Sequence, residues 1–276
     1  MPFTWPTDLL RLIMWFAVDS LAARAALQRV NRHFNRVASH HTILSHVELS
    51  PKTPDILQRA LGVCRVAFTL KIISESGFYS FGRNGRPVVQ GLHAYLKAIP
   101  PSVHTLRFEC EKLVDLRDLQ HPSGLRTLHL SHCTLYYGLE RLTHLKHLFV
   151  DGEIDCGRFL ARCQTLCELE TLKLPYLRDA YYRQAHHVLN YIDDVVKLTT
   201  LRTLAIPIHA LGDEGLGRLA ALPNLTSLNV SRSSITDAGL DMLASLRNLR
   251  TVNVSGCTRT SADGLAKLCA SLTVVH

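Results

Sequence analysis

The chain has 276 residues, 47% of them hydrophobic and 20% charged, which excludes wholesale disorder and fits one or two packed domains. A formal charge of +8 and a sequence pI near 9.2 suit an anionic partner, either RNA or an acidic protein face. The basic residues are spread along the chain, with no run of five or six and no aromatic–basic interleaving, so nucleic-acid binding gains little support. No apolar run approaches the ~18 residues of a membrane-spanning helix, and Leu12 to Val18 reads as a core helix.

In chain order, Trp5-Pro6-Thr7-Asp8-Leu9-Leu10-Arg11-Leu12-Ile13 starts with the helix-capping candidate Thr7 and carries an apolar face at Leu9, Leu10, Ile13 and Phe16. A break near Asp19-Ser20 precedes a second helical pattern through Val30-Asn31-Arg32-His33-Phe34 to Val37. This segment resembles an F-box, which opens Leu-Pro-x-Glu-Leu-Leu-x-x-Ile-Phe and closes Val-Cys-Arg-x-Trp-x-x-Leu. Pro6, Asp8, Leu9, Leu10 and Ile13 match the opening; Val30, Arg32, Phe34 and Val37 match the close. Trp5 replaces the first Leu, Asn31 the Cys and Phe34 the Trp, and Ala17 stands where the usual central Leu falls. The resemblance implies that Pro6, Leu9, Leu10, Ile13, Val30 and Phe34 bind the Skp-type adaptor of a cullin–RING ubiquitin ligase. Two other readings stand beside it. The helices could cap the open end of a repeat array, or form a mitochondrial presequence, since five arginines outnumber Asp8 and Asp19 up to Val37.

Two strands are expected next, in Leu44 to Leu49 and in Val66 to Leu70, the latter alternating with period two. Ser74 to Arg86 is rich in turn-formers and reads as a surface loop. Its Gly82-Arg83-Asn84-Gly85-Arg86 lacks the Lys-Ser/Thr and the strand-to-helix setting of a phosphate-binding loop.

From Val103 the chain repeats Leu-x-x-Leu-x-Leu or an aliphatic variant, starting at Val103, Leu125, Leu145, Leu169, Leu201, Leu225 and Leu249. The spacings are 22, 20, 24, 32, 24 and 24. Leu125 to Leu135 meets every defined position of the leucine-rich-repeat template L-x-x-L-x-L-x-x-N/C-x-L. Units of this kind cannot bury their own apolar side and stack on their neighbours. In the later copies Asp213 and Asp237 open helical patterns and are suited to cap their first turns. The copy after Leu249 drifts by one residue, and the insertion near Arg178 to Leu198, free of Gly and Pro, reads as a longer helix.

No reaction motif is present: there is no H-E-x-x-H, G-x-S-x-G or G-x-G-x-x-G, so no catalytic residue, metal or cofactor is expected and the chain reads as a non-enzyme. The eight cysteines lack C-x-x-C pairing. Cys133 and Cys257 take the ninth repeat position, and Cys163, Cys167 and Cys269 fall in helical stretches as small hydrophobes. What the repeats supply is a face. Residues between the leucines point to solvent, giving a partner-binding set of His129, His132, His147, Phe149, Lys173, Tyr176, Asn229, Arg232 and Asn253. Phe149 and Tyr176 carry most weight, because aromatic residues dominate binding hot spots.

The expected fold is an α/β leucine-rich-repeat solenoid, curved, with parallel strands inside and helices outside, preceded by a small helical F-box-like segment. The boundaries are 1–45 for that segment and 46–276 for the repeats, clear from about residue 103. The order of box and repeats resembles F-box/leucine-rich-repeat proteins. That implies a substrate-recruiting ligase subunit, cytoplasmic or nuclear, acting as a monomer within a larger complex that contains the adaptor and a protein substrate. The alternative is a scaffold or assembly subunit of a ribonucleoprotein or mitochondrial complex.

Overall fold

The structure is a computed structural model. It describes residues 46–49, 69–73, 79–81, 87–89, 96–97, 99, 101, 103–109, 113–132, 134–151, 156–174, 185–243, 246–270 and 272–275. The expected F-box-like helices, with Pro6, Leu9, Leu10, Ile13, Val30 and Phe34, lie outside these residues, as does Tyr176. The chain divides into two units, Met1–Leu142 and Thr143–His276.

In the first unit, β1 (His46–Leu49), β2 (Thr69–Ile73), β5 (Thr105–Glu109) and β7 (Thr127–Ser131) form a parallel ladder in that order. Leu106, Phe108, Leu128 and Leu130 are at most 1% exposed. The alternation of buried and half-buried residues along β7 is the period-two signature of a strand with one buried face. A second sheet holds β3 (Tyr79–Phe81), β4 (Pro87–Val89), β6 (Leu113–Asp115) and β8 (Thr134–Tyr137). Here two expectations are corrected. The stretch Ser74 to Arg86 is not wholly loop, because β3 and β4 pair antiparallel with Tyr79 opposite Val89. The returns after β5 and β7 are the short strands β6 and β8 and the single 3-10 turns Pro122–Gly124 and Leu139–Arg141, not helices. Periods of 22 and 20 residues leave too little chain for a helix of two turns after the strand and its bend.

In the second unit β9 (His147–Asp151), β10 (Thr171–Lys173), β11 (Thr203–Ala205), β12 (Ser227–Asn229), β13 (Thr251–Asn253) and β14 (Thr273–Val275) are all parallel, each paired with the next. Between them run α1 (Cys156–Cys163), α2 (Ala185–Val195), α3 (Gly212–Leu219), α4 (Asp237–Leu243) and α5 (Ala262–Cys269). With about 24 residues per period there is room for a helix, and the strand–turn–helix unit expected from the sequence is found. The long insertion indeed contains a helix, α2, burying Val188, Ile192 and Val195 at helical spacing.

Register is held by a repeated backbone device. In the middle repeats, the carbonyl of the residue after the leading leucine accepts N–H groups from two successive residues of the next repeat. Glu170 receives Arg202 and Thr203, Arg202 receives Thr226 and Ser227, and Thr226 receives Arg250 and Thr251, at 2.8–3.1 Å. The leading leucines Leu145, Leu169, Leu201 and Leu225 are fully buried, and Leu249 is 5% exposed. Each contributes about 1.5–3 kcal/mol of transfer free energy.

The helix caps differ from expectation. Asp213 and Asp237 do not cap their own helices. Asp213 accepts the backbone N–H of Thr236 at 2.7 Å and its hydroxyl at 2.6 Å. Asp237 does the same for Ser261, at 2.8 and 2.5 Å. Thr236 and Ser261 are the residues that precede the next helices, and the Ser261 hydroxyl in turn accepts the Gly264 N–H at 3.0 Å. Each carboxylate therefore anchors the start of the following helix. The approach requires glycine at 239 and 264, where a Cβ would collide with the Asp213 and Asp237 carboxylates respectively. The extra residue that makes the last copy drift lies in the turn between β13 and α5, and it leaves this linkage intact.

Candidate strand-face site

Side chains that alternate with the buried leucines line one face of each sheet. In the first unit His129 is half-buried on β7, in register with Arg107 of β5, and His132 is exposed just past the strand. In the second unit β9 and β10 present the expected His147, Phe149 and Lys173, with Thr171 opposite His147 and Lys173 opposite Phe149. The Lys173 ammonium sits 5.4 Å from the Phe149 ring centroid. A cation over a partly exposed ring is attracted by its quadrupole, at about 0.5–1 kcal/mol. Beside it His147 Nδ1 lies 3.1 Å from Thr171 Oγ1, and Lys146 donates to Glu170 at 2.9 Å. The Lys146 hydrogen bond, ahead of the charges of Lys146, His147 and Arg202, holds the Glu170 carboxyl below its ordinary range.

The expected Asn229 and Asn253 follow on β12 and β13, in register with each other and with the buried Ala205 of β11. Both have a structural task. Their Oδ1 atoms accept the N–H of Ser231 at 3.0 Å and Ser255 at 2.9 Å, turning the chain out of the strand. Their carbonyls are thus committed to the fold, which sequence position alone did not reveal. Arg232 is exposed with φ +60°, His132 has φ +58°, and Gly256 takes the corresponding repeat position with φ +73°. This left-handed position favours glycine, and a bulky L-residue there carries strain of order 1 kcal/mol.

The thiols divide. Cys257 is buried and donates to the Val230 carbonyl at 3.3 Å; burial pushes its thiol up despite N–H donors from Ser233 and Arg232, so it is an inert packing group. Cys163 is buried on α1, whereas Cys167 and Cys269 are exposed rather than packed as the sequence suggested. Among the described residues no group of three His, Cys, Asp or Glu side chains is placed to hold a metal ion.

The sequence reading overlooked a different set, Arg202, Arg247 and Arg250, all exposed where the strands β11 and β13 begin. The available signal was an absence. The segments 199–211, 222–236 and 246–261, which carry those strands and their turns, contain no Asp or Glu.

A model of the leucine-rich repeat matches residues 221–244, which span β12 and α4. No curated protein matches the chain. Among solved structures, a Bacteroides fragilis protein is similar over 75% of this chain and 64% of its own, at 14% identity and TM-score 0.52. Internalin C2 of Listeria monocytogenes is similar over 79% of this chain and 83% of its own, at 21% identity and TM-score 0.47. The chain has a leucine-rich-repeat-like fold, with parallel strands and, in the second unit, helices in the return limbs.

Proposed function

We propose that the chain is a non-enzymatic interaction subunit that grips a protein partner on the strand face of its second unit. The carrying observation is the Phe149 ring, half-exposed on that face beneath the Lys173 ammonium, in a row whose backbone register is locked by the repeat. A ring with a polar neighbour on a rigid sheet loses little conformational entropy on binding, which is what makes aromatic residues effective anchors. Among the described residues no group of three His, Cys, Asp or Glu is placed to hold a catalytic metal, and the sequence carries no reaction motif to support a competing enzymatic reading.

The finer form of this proposal is recruitment of that partner to a cullin–RING ubiquitin ligase in the cytoplasm or nucleus. Its support is the F-box-like pattern Pro6, Asp8, Leu9, Leu10, Ile13 followed by Val30, Arg32 and Phe34, placed directly ahead of the repeats. Affinity purification of the tagged chain tests both forms. The finer form predicts co-purification of a Skp-type adaptor and a cullin, lost on replacing Leu9 and Leu10 by Glu while the melting transition is unchanged. Phe149→Ala with Lys173→Ala should do the reverse, keeping the adaptor and weakening partner capture. Recovery of ribosomal or respiratory subunits without adaptor would favour the scaffold alternative. Recovery of the chain alone, at every salt concentration, would remove both.

A further inference from the structure

In the later part of the second unit, from residue 199, charge is segregated between strands and helices. From residue 199 onward, the segments 199–211, 222–236 and 246–261 carry Arg202, Arg232, Arg247, Arg250 and Arg259 and no Asp or Glu. Asp213, Glu214, Asp237, Asp241 and Asp263 all fall on α3, α4 and α5. On those helices they are partly neutralised, as where Arg218 donates to Glu214 at 2.8 Å and to Asp193 of α2 at 2.7 Å. Among the described residues, the guanidinium groups of Arg202, Arg247 and Arg250 have neither a hydrogen bond nor an ion pair. Arg202 acts on Glu170 only through space, the hydrogen bond of that carboxylate going to Lys146.

The placement is regular. Arg202, Thr226 and Arg250 occupy one repeat position on three successive strands and are tied by N–H to carbonyl bonds of 2.8 and 2.9 Å. Two strand spacings set the arginines about 9–10 Å apart at their backbones. Next to them run Thr203, Ser227, Thr251 and Thr273, in register on β11 to β14. Their hydroxyls have no hydrogen-bond partner among the described residues.

We propose that this edge binds an acidic, extended protein segment, with carboxylates on Arg202 and Arg250, Arg247 as a flanking charge, and the hydroxyl row donating to the segment's oxygens. The proposal rests on the reading of the strand face as a protein-binding surface and names the chemistry of what lies on it. Planar guanidinium forks match carboxylates in bidentate fashion. Carboxylates at alternate positions of an extended chain are about 7 Å apart, a spacing that two flexible arginines reach. A single-stranded nucleic acid fits less well. These strand segments contain no Phe, Tyr or Trp on which a base could stack.

The test uses the full chain and a fluorescein-labelled decapeptide of alternating Glu and Ser, read by anisotropy near physiological salt, with a ten-nucleotide oligouridine as the rival probe. The peptide should bind, and binding should weaken as salt rises. Arg202→Gln with Arg250→Gln should lower the affinity by about tenfold or more, the usual consequence of losing a charge-assisted hydrogen bond. Lys197→Gln with Lys267→Gln removes the same net charge outside this edge and should change it less than about twofold, because such distant charges are screened. Arg202→Lys with Arg250→Lys should give an intermediate loss, the charge being kept and the fork removed. All these side chains are exposed, and an unchanged melting temperature shows that each variant is folded; Arg250→Gln alone replaces the pair if it is not. The proposal is overturned by equal losses in the two Gln pairs, by tighter binding of oligouridine than of peptide, or by a wild-type chain that ignores the peptide. If it ignores the peptide but still captures a protein through Phe149 and Lys173, the interaction reading survives without this one.

Discussion

Ser233 shows how closely a single repeat position is specified. It is 2% exposed, and its hydroxyl is buried without a hydrogen-bond partner among the described residues. One repeat later Cys257 fills the equivalent place, and its longer side chain reaches the Val230 carbonyl. A buried hydroxyl left unpaired costs about 1–3 kcal/mol. Ser233→Ala should therefore raise stability by about 1 kcal/mol, seen as a melting temperature about 2–4 °C higher. A lower melting temperature would show that the hydroxyl is satisfied. Asp237 is specified by charge. Hydrogen bonds from the Ser261 hydroxyl and N–H hold its carboxyl below the ordinary range. Because the folded value is depressed, the stabilisation is complete above the unfolded value near 3.9 and is lost as pH falls through the folded one. Asp237→Ala should thus be less stable than wild type at pH 7, and the gap should narrow at an acid pH below the folded value. Denaturant midpoints at both pH values check this, and a gap of constant size would count against it.

At the scale of elements, the last two helices are each started by a carboxylate of the helix before. Asp213 anchors the residue before α4 and Asp237 the residue before α5. Asp213→Ala, which removes both hydrogen bonds to Thr236, should cost about 0.5–2 kcal/mol, the scale of losing a helix-cap interaction. Gly239→Ala makes a sharper prediction. In an exposed helix that change would stabilise by up to about 1 kcal/mol, but here the added Cβ meets the Asp213 carboxylate. The variant should be destabilised, and the effect should largely disappear in the Asp213→Ala background. A double-mutant cycle measures that coupling, and additive effects would refute it. The first unit offers the contrasting element: where the period shortens, strands β6 and β8 replace helices in the return limb.

At the scale of the molecule, stability is a sum of neighbouring repeats. Leu228 is 1% exposed at the centre of β12, paired with Leu204 and Val252. Leu228→Ala should cost about 2–5 kcal/mol, and amide exchange should rise most in β11 to β13 and least in β9 and the start of β10. Uniform acceleration across the second unit would mean that it opens as one cooperative block. The same linear logic separates function from stability, since Phe149, Lys173, Arg202 and Arg250 are all at least partly exposed beside buried leucines and can be changed without opening the core.

By itself the sequence determined the parallel strand stack of the repeats. Leucines recurring about every 24 residues can be buried only if successive units align, and that spacing also leaves room for a helix in the second unit. It also determined which strand residues face solvent, because side chains alternate along a strand, and so His147, Phe149, Lys173, Asn229 and Asn253 were legible as a face. What only the tertiary structure decided are relations between residues one full period apart. Such partners are distant along the chain and come together only once the register is set. The Lys173 ammonium over Phe149 and the carboxylates of Asp213 and Asp237 at the next helix are of this kind, and the edge shared by Arg202 and Arg250 spans two periods. The second sheet of the first unit is another, since three-residue strands such as Leu113–Asp115 carry too short a pattern to be read until neighbouring strands supply their hydrogen bonds.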